Sequence, residues 1–225
     1  MEKIRGALID QLQNHTAFHL FGVPVPESVA VTWLIMAALA LAAWLFTRRL
    51  RVDHPGRAQL VLEMFVGLIN NFTKEATGEH WRAFAPYLGT VALYIGCANL
   101  IGIFGLVPPT KDLNVTIGLA LMSVGLIYGA SFYYKGARGG FRKFAGPMAL
   151  LVPINLMEIV IRPLSLCMRL FGNVLGSFVI MELIKCVAPV LAPLPFSLYF
   201  DVFDGIIQTI VFVFLTALFL GEAVE

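Results

Sequence analysis

Long apolar runs without a single charge are the feature that most constrains this chain. Residues 29–46 contain no charge in 18 positions, and residues 113–134 contain none in 22. Such runs match the ~20 residues that a helix needs to cross a ~30 Å hydrocarbon core. Hydrophobic residues make up 59% of the chain and charged residues 13%, against roughly 45–50% and about 25% in soluble domains. The sequence predicts a polytopic membrane protein and argues against a cytosolic enzyme, a disulfide scaffold or a nucleic-acid binder.

The apolar runs predict one all-α membrane domain over residues 1–225 with five embedded helices. The predicted helices cover 29–46, 84–107, 115–134, about 147–190 and 196–220. We expect the domain to begin with an external N-terminal segment (1–28), a first span (29–47) and a cytoplasmic interfacial helix (55–81). A helical hairpin (84–134) and a tilted helix pair (147–221) should follow.

Residues 55–81 have the pattern of an amphipathic helix rather than of a span. At 100° per residue, one side carries the polar residues Gln59, Glu63, Asn70 and Lys74. Leucine, isoleucine, valine and phenylalanine fill the other side. This pattern predicts a helix that lies in the membrane interface.

Basic residues predict the orientation. They cluster in the first connection (Arg48, Arg49, Arg51, Arg57, Lys74 and Arg82) and in the third (Lys135, Arg138, Arg142 and Lys143). Connections rich in Lys and Arg stay on the cytoplasmic side. We therefore expect a multi-pass protein of the cell (plasma or inner) membrane, with its N-terminus outside and its C-terminus in the cytoplasm.

The fourth segment is too long to cross the membrane upright. Residues 147–190 would measure about 66 Å as a helix at ~1.5 Å per residue. We expect this helix to tilt strongly, to bend near Pro153 or Pro163, or to break.

Two arginines lie inside the apolar part of this segment, Arg162 and Arg169. An arginine at mid-bilayer costs roughly 2.5–3.5 kcal/mol on insertion scales and marks a functional site by default. Arg162 lies nearer the cytoplasmic end, where its side chain could reach the interface. Arg169 has about two turns of apolar helix on each side.

One narrow stripe of the helix collects the polar and small residues around Arg169. It contains Glu158, Arg162, Ser165, Asn173 and Gly176, all within about 40° of Arg169. A helix-packing face with a buried ion pair is one interpretation. The other is a functional site whose counter-charge belongs to another subunit, because Glu158 is about 16 Å from Arg169 along a straight helix.

Three segments together resemble the a subunit of F-type ATP synthases. PLSLCMRLFGNVLGS (163–177) is similar to the family's signature, with its central arginine followed by FGN. PTKDLNVTIGLAL (109–121) and QTIVFVFLTALFL (208–220) resemble its third-span start and its last helix. The likeness extends over about residues 29–222.

The resemblance implies the ion-translocating stator subunit of a rotary motor, which is not catalytic by itself. Arg169 would face a c-ring that carries one carboxylate per subunit. Its permanent charge would release each ion and block a direct leak, so that H⁺ or Na⁺ crosses only by riding the ring. The implied partners are the c-ring, the peripheral-stalk b subunits, the F1 sector and the bilayer; we expect no cofactor, metal or nucleic acid.

The resemblance also implies two half-channels. Glu158 and Arg162 would flank the inner one, together with Ser165. Asp112, Asn114, Asn173 and Gln208 match positions toward the outer one. Nine residues after the arginine, many relatives place Glu or His, whereas this chain has Phe178.

Three further acids could serve the outer half-channel: Glu182, Asp201 and Asp204. Glu182 lies one turn beyond Phe178, and Asp201 occupies a place where relatives carry His or Glu. Ordinary explanations remain open, since acids suit a helix N-terminus and Glu182 could pair with Lys185.

Two other classes of function remain as alternatives. A stand-alone secondary transporter or channel would use Arg169 to bind an anion, and it predicts internal repeats or broken-helix pairs; the sequence has neither. A membrane scaffold without a transport role leaves the polar stripe without a purpose.

Overall fold

The computed structural model describes residues 16–20, 23–48, 50, 56–104, 106–145, 152–187 and 193–224. Two short antiparallel strands, β1 (Thr16–Leu20) and β2 (Val23–Pro26), precede the helices. No secondary structure was predicted for this part of the N-terminal segment. Residues 1–15 of that segment, and Arg49 and Arg51 of the first basic connection, lie outside the described residues.

Seven α-helices follow within the described ranges. They are α1 (Glu27–Thr47), α2 (Arg57–Thr77), α3 (Trp81–Leu100), α4 (Leu113–Ala145), α5 (Val152–Val187), α6 (Pro193–Ser197) and α7 (Gly205–Val224). Short 3-10 turns cover Gly78–His80, Ile101–Phe104 and Pro109–Lys111. Gly78 adopts φ 59° at the end of α2, a conformation that glycine tolerates best.

Five stretches of the described chain are long and apolar enough to cross a membrane. They are Glu27–Thr47, Arg57–Phe104, Leu113–Lys135, Met157–Lys185 and Pro195–Val224. The prediction of an all-α polytopic membrane protein is confirmed. The second stretch joins α2 to α3, so the interfacial placement of α2 stays a prediction.

Helices α3, α4 and α7 form the centre of the bundle. Ile95, Ala120 and Phe212 of these helices are buried in one apolar cluster, to which α5 contributes Leu166 and Leu170 and α1 also contributes. Leu88, Ile127, Val213 and Leu220 are buried in a second cluster, which α2 covers through Ile69. Because lipid is as apolar as these side chains, close packing rather than transfer out of water holds such helices together.

Helix α5 runs without interruption through Pro163 for 36 residues. This is the part of the predicted 147–190 segment that falls in the described chain, whereas 147–151 and 188–190 lie outside it. The helix has no break between Val152 and Val187, and a bend near Pro153 or Pro163 stays a prediction. A length of about 54 Å exceeds the ~30 Å hydrocarbon core, so a strong tilt remains the expectation.

The last segment differs from the single α-helix predicted over 196–220. A π-helix spans Leu198–Asp204 between α6 and α7. A π-helix does not turn 100° per residue, so the positions of Asp201 and Asp204 do not follow the spacing of an α-helix. Short π-helical segments within α-helices are frequent at functional sites.

Candidate functional site

Arg169 lies near the middle of the 29-residue apolar stretch Met157–Lys185. Its neighbours Leu166 and Leu170 are fully buried against the bundle, whereas Leu164 and Met168 are exposed. Arg169 is itself half-buried, so it lies at the border between the packed and the open face of α5. No acid of the described chain forms an ion pair with it.

Arg162 has the opposite surroundings, although it lies on the same helix two turns earlier. Its Nη2 atom donates to Oε2 of Glu158 at 2.8 Å and to Oε2 of Glu222 at 2.7 Å. The guanidinium also lies 4.8 Å from the ring centroid of Phe219. The arginine side chain is 13% exposed, and the two glutamates are 49% and 47% exposed. We call Glu158, Arg162 and Glu222 the inner triad.

Glu222 was missed by the sequence analysis. It lies in the last turn of α7, and its backbone oxygen accepts a hydrogen bond from Lys135 Nζ at 3.3 Å. The last third of α4, the last turn of α7 and the first half of α5 therefore meet at the inner triad. An acid directly after a charge-free apolar run (205–221) was the available signal.

Asp112 caps helix α4. Its Oδ1 atom accepts from the backbone N–H of Asn114 at 3.0 Å, and its Oδ2 atom accepts from Ser28 Oγ at 2.6 Å. The residue is 5% exposed. Asn114 is exposed in the first turn of the helix. This geometry gives Asp112 a capping role and ties the start of α1 to the start of α4.

Asp201 and Asp204 belong to the π-helix and differ in their contacts. Ser197 Oγ donates to Asp201 Oδ2 at 2.6 Å. A Cβ added at Gly102 would lie 3.1 Å from Asp201 Oδ1, so the glycine leaves room for this carboxylate. Asp204 is partly buried and has no polar partner in the described part of the chain.

Gln208 follows one turn after Asp204 and is 5% exposed. Its Oε1 atom is buried without a hydrogen-bond partner among the described residues. A buried amide oxygen that lacks a donor is costly. It is therefore available to a water molecule or a cation.

Asn99 and Thr110 are further buried polar residues that the sequence analysis missed. Asn99 Nδ2 donates to the carbonyl of Gly205 at 3.3 Å, and Thr110 Oγ1 donates to Asn99 Oδ1 at 3.0 Å. Thr209 Oγ1 donates to the same carbonyl at 2.8 Å. These bonds hold the junction between the π-helix and α7 against the end of α3. An asparagine inside an apolar helix was the signal.

The remaining predicted residues lie along α5. Ser165 and Asn173 are partly buried, one turn before and one turn after Arg169. Lys111 Nζ lies 3.7 Å from the ring centroid of Phe178. The side chain of Glu182 lies outside the described part of the structure. Among the described residues no cluster of His, Cys, Asp or Glu has the arrangement of a metal site.

Two charged groups thus contact α5 on either side of Arg169. The inner triad lies toward the N-terminal side of Arg169, and the Lys111–Phe178 contact lies toward its C-terminal side. Arg162 and Phe178 are 16 residues apart, or about 24 Å along the helix axis. Arg169 lies between the two groups. The structure brings Glu158 and Arg162 together as one cluster and keeps Arg169 separate from it.

Comparison with known proteins gives a consistent picture. The family model described as "ATP synthase A chain" matches residues 29–221. The chain is 34% identical to the "ATP synthase subunit a, sodium ion specific" of Propionigenium modestum, with 91% of this chain and 76% of the relative covered. It is 35% identical to the ATP synthase subunit a of Moorella thermoacetica, with 92% and 95% covered. It is 36% identical to ATP synthase subunit a 3 of Pelobacter propionicus, with 88% of each covered.

A family match over most of the chain sets aside a stand-alone transporter and a passive scaffold. It also agrees with the five long apolar stretches, one of which contains Arg162 and Arg169. The chain belongs to the ATP synthase A chain family, the ion-translocating and non-catalytic membrane subunits of F-type ATP synthases.

Proposed function

We propose that Arg169 is the fixed positive charge past which the carboxylates of a c-ring move. The observation that carries this proposal is the contrast in its surroundings: a guanidinium near the middle of an apolar stretch, without an acid partner in the described chain, beside an exposed apolar face. A buried cation requires a counter-charge or a wet cavity. A carboxylate on a neighbouring rotor supplies one.

The chemistry follows from the permanent charge of arginine. A guanidinium keeps its proton at any working pH, and it favours the ionised form of a carboxylate that approaches it. Each ring carboxylate would give up its ion on reaching Arg169 and reload after passing it. The same charge repels a bare cation and closes the direct route between the two sides.

Two half-channels would serve this charge from opposite ends of α5. The inner path would run past Glu158 and Arg162, with Ser165 one turn before Arg169. The outer path would use Asn173 and Gln208, whose buried Oε1 atom lacks a protein donor among the described residues. Its mouth would be formed by the acids and the amide at the outer end of the bundle, which are Asp112, Asn114, Glu182, Asp201 and Asp204.

The assembly and location follow from this role. The c-ring would pack on the exposed face of α5 beside Arg169, and peripheral-stalk b subunits would hold the chain against rotation relative to the F1 sector. In the cell membrane, the N-terminus would lie outside and the C-terminus in the cytoplasm, as a single domain with α2 in the cytoplasmic interface. Neither a cofactor nor a nucleic acid has a part in this mechanism.

The transported ion is H⁺ or Na⁺. One relative, from Propionigenium modestum, is named sodium ion specific, so sodium is worth testing first. ATP hydrolysis by the purified complex should rise with added NaCl, and not with KCl, if sodium is the coupling ion. A rate that is independent of sodium would assign the proton.

The decisive experiment replaces Arg169 with alanine in the assembled complex. We expect Arg169→Ala to abolish ion-driven ATP synthesis in membrane vesicles, while the c-ring and the ATPase subunits still co-purify. Arg82→Ala, which removes an exposed arginine at the start of α3, is the matched control and should retain synthesis. Retained coupling in Arg169→Ala would contradict the mechanism.

A further inference from the structure

The inner triad places two carboxylates on Arg162, although one of them lies on a distant part of the chain. Glu158 is four residues earlier on α5, a spacing that pairs charges within a helix. Glu222 lies 60 residues further along the chain, on α7. Both bonds use the same Nη2 atom. The bond to Glu222 and the contact with the ring of Phe219 direct the guanidinium toward α7.

The position of Arg162 on α5 explains why this pairing matters. Arg162 follows the same stripe of the helix as Arg169, about 20° away on a helical wheel and about 10 Å along the axis. Without partners it would be a second unneutralised cation beside the exposed face. A ring carboxylate that had just left Arg169 would then meet another positive charge. It would be held there instead of reloading its ion.

We infer that Glu222 is a positioning residue for ion translocation: it holds the guanidinium of Arg162, already paired with Glu158, toward α7, so that Arg169 is the one cation presented to the ring. This inference rests on the proposed function of Arg169. It assigns a role to an acid at the end of the last helix that neither the resemblance nor the sequence analysis singled out. Lys135, bonded to the backbone oxygen of Glu222, fixes the same turn from α4.

The test compares two conservative variants with different charge. Glu222→Gln keeps a hydrogen-bond acceptor for Arg162 but loses the charge, whereas Glu222→Asp keeps the charge. We expect ATP synthesis per assembled complex in vesicles to fall about fivefold in Glu222→Gln and to stay within about twofold of wild type in Glu222→Asp. Glu75→Gln, which neutralises an exposed acid of α2, is the control and should be silent. Equal rates in the Gln and Asp variants would overturn the inference.

A second-site variant distinguishes the surplus cation from a lost tether between helices. If release of the Arg162 side chain from α7 causes the defect in Glu222→Gln, the added substitution Arg162→Gln should restore most of the activity. If Glu222 only holds α5 and α7 together, the double variant should be no better than Glu222→Gln, and the inference fails.

The same vesicles separate this inference from the proposed function. If Arg169→Ala retains ATP synthesis, the proposed function itself is wrong. If Arg169→Ala abolishes synthesis while Glu222→Gln behaves like wild type, the role of Arg169 stands and only the role of Glu222 is refuted.

Discussion

Two arginines on one helix have opposite environments in this protein. Arg162 is held by two carboxylates and an aromatic ring. Arg169, two turns later, has no acid partner in the described chain and borders an exposed apolar face. Both are equally charged, and both lie in the same apolar stretch. The difference teaches that an intramembrane charge is structural when its own chain neutralises it and available for function when its chain leaves it open.

The largest expected effect comes from giving Arg169 the partner that Arg162 has. Ser165 precedes Arg169 by four residues, the spacing of Glu158 and Arg162. Ser165→Glu should therefore create an internal pair that competes with the ring carboxylate. A competing pair worth about 2 kcal/mol would lower ATP synthesis about thirtyfold. The measurement is ATP synthesis in vesicles with matched amounts of complex.

The isosteric variant Ser165→Gln adds the same bulk without the charge, and we expect a much smaller loss. Equal losses in the Glu and Gln variants would show that bulk, not pairing, matters beside Arg169. The claim that Arg169 must be unpaired for ion translocation would then be wrong.

A substitution at Gly221 can displace Glu222, the partner of Arg162, without changing either arginine. A Cβ added at Gly221 would overlap the backbone oxygen of Ala76 in α2, and Glu222 is the next residue. Gly221→Ala should destabilise the complex by about 1.5 kcal/mol, as overpacking in a tight contact does. Thermal disassembly of the purified complex measures this. Gly118→Ala, with open space around its Cβ position, should leave the midpoint unchanged; an equal shift in both variants would contradict the close contact.

Removing the paired arginine should affect stability more than transport. Arg162→Met leaves Glu158 and Glu222 as neighbouring like charges. Because both glutamates are about half exposed, we expect a cost of only about 1 kcal/mol. Less assembled complex should be recovered, with nearly normal synthesis per complex. The neutral triple variant Glu158→Gln, Arg162→Met, Glu222→Gln should recover assembly, and continued loss there would show that the charges are not the cause.

The smallest expected effect extends the comparison to acids at the outer end. Asp112 has both carboxylate oxygens engaged, whereas Asp204 has no polar partner in the described chain. Both oxygens of Asp112 already accept hydrogen bonds from the protein, and Asn caps a helix about as well as Asp. Its place at the outer mouth therefore does not depend on its charge, and Asp112→Asn should change synthesis little. Asp204→Asn should lower it about threefold, or ~0.6 kcal/mol. A larger loss of ATP synthesis in Asp112→Asn than in Asp204→Asn would contradict the idea that charges engaged by their own chain are structural and unengaged charges are functional.

Much of the fold was predictable because hydropathy and charge act locally. The apolar runs gave the helices, and the FGN motif after Arg169 gave the family. The π-helix at Leu198–Asp204 was not predictable, since an extra residue in a turn leaves the apolar pattern almost intact. Asp112 was assigned to a channel from the resemblance, and its bond to Ser28 across 84 residues was beyond any local pattern.

The sequence by itself determined that this chain crosses a membrane several times and places two permanent positive charges inside it. Only the tertiary structure decided which of them is neutralised. The reason is physical: burial preferences and helix periodicity depend on neighbouring residues. The pairing of Arg162 with Glu222 depends instead on how α4, α5 and α7 pack, and that packing brings together residues that the chain keeps far apart.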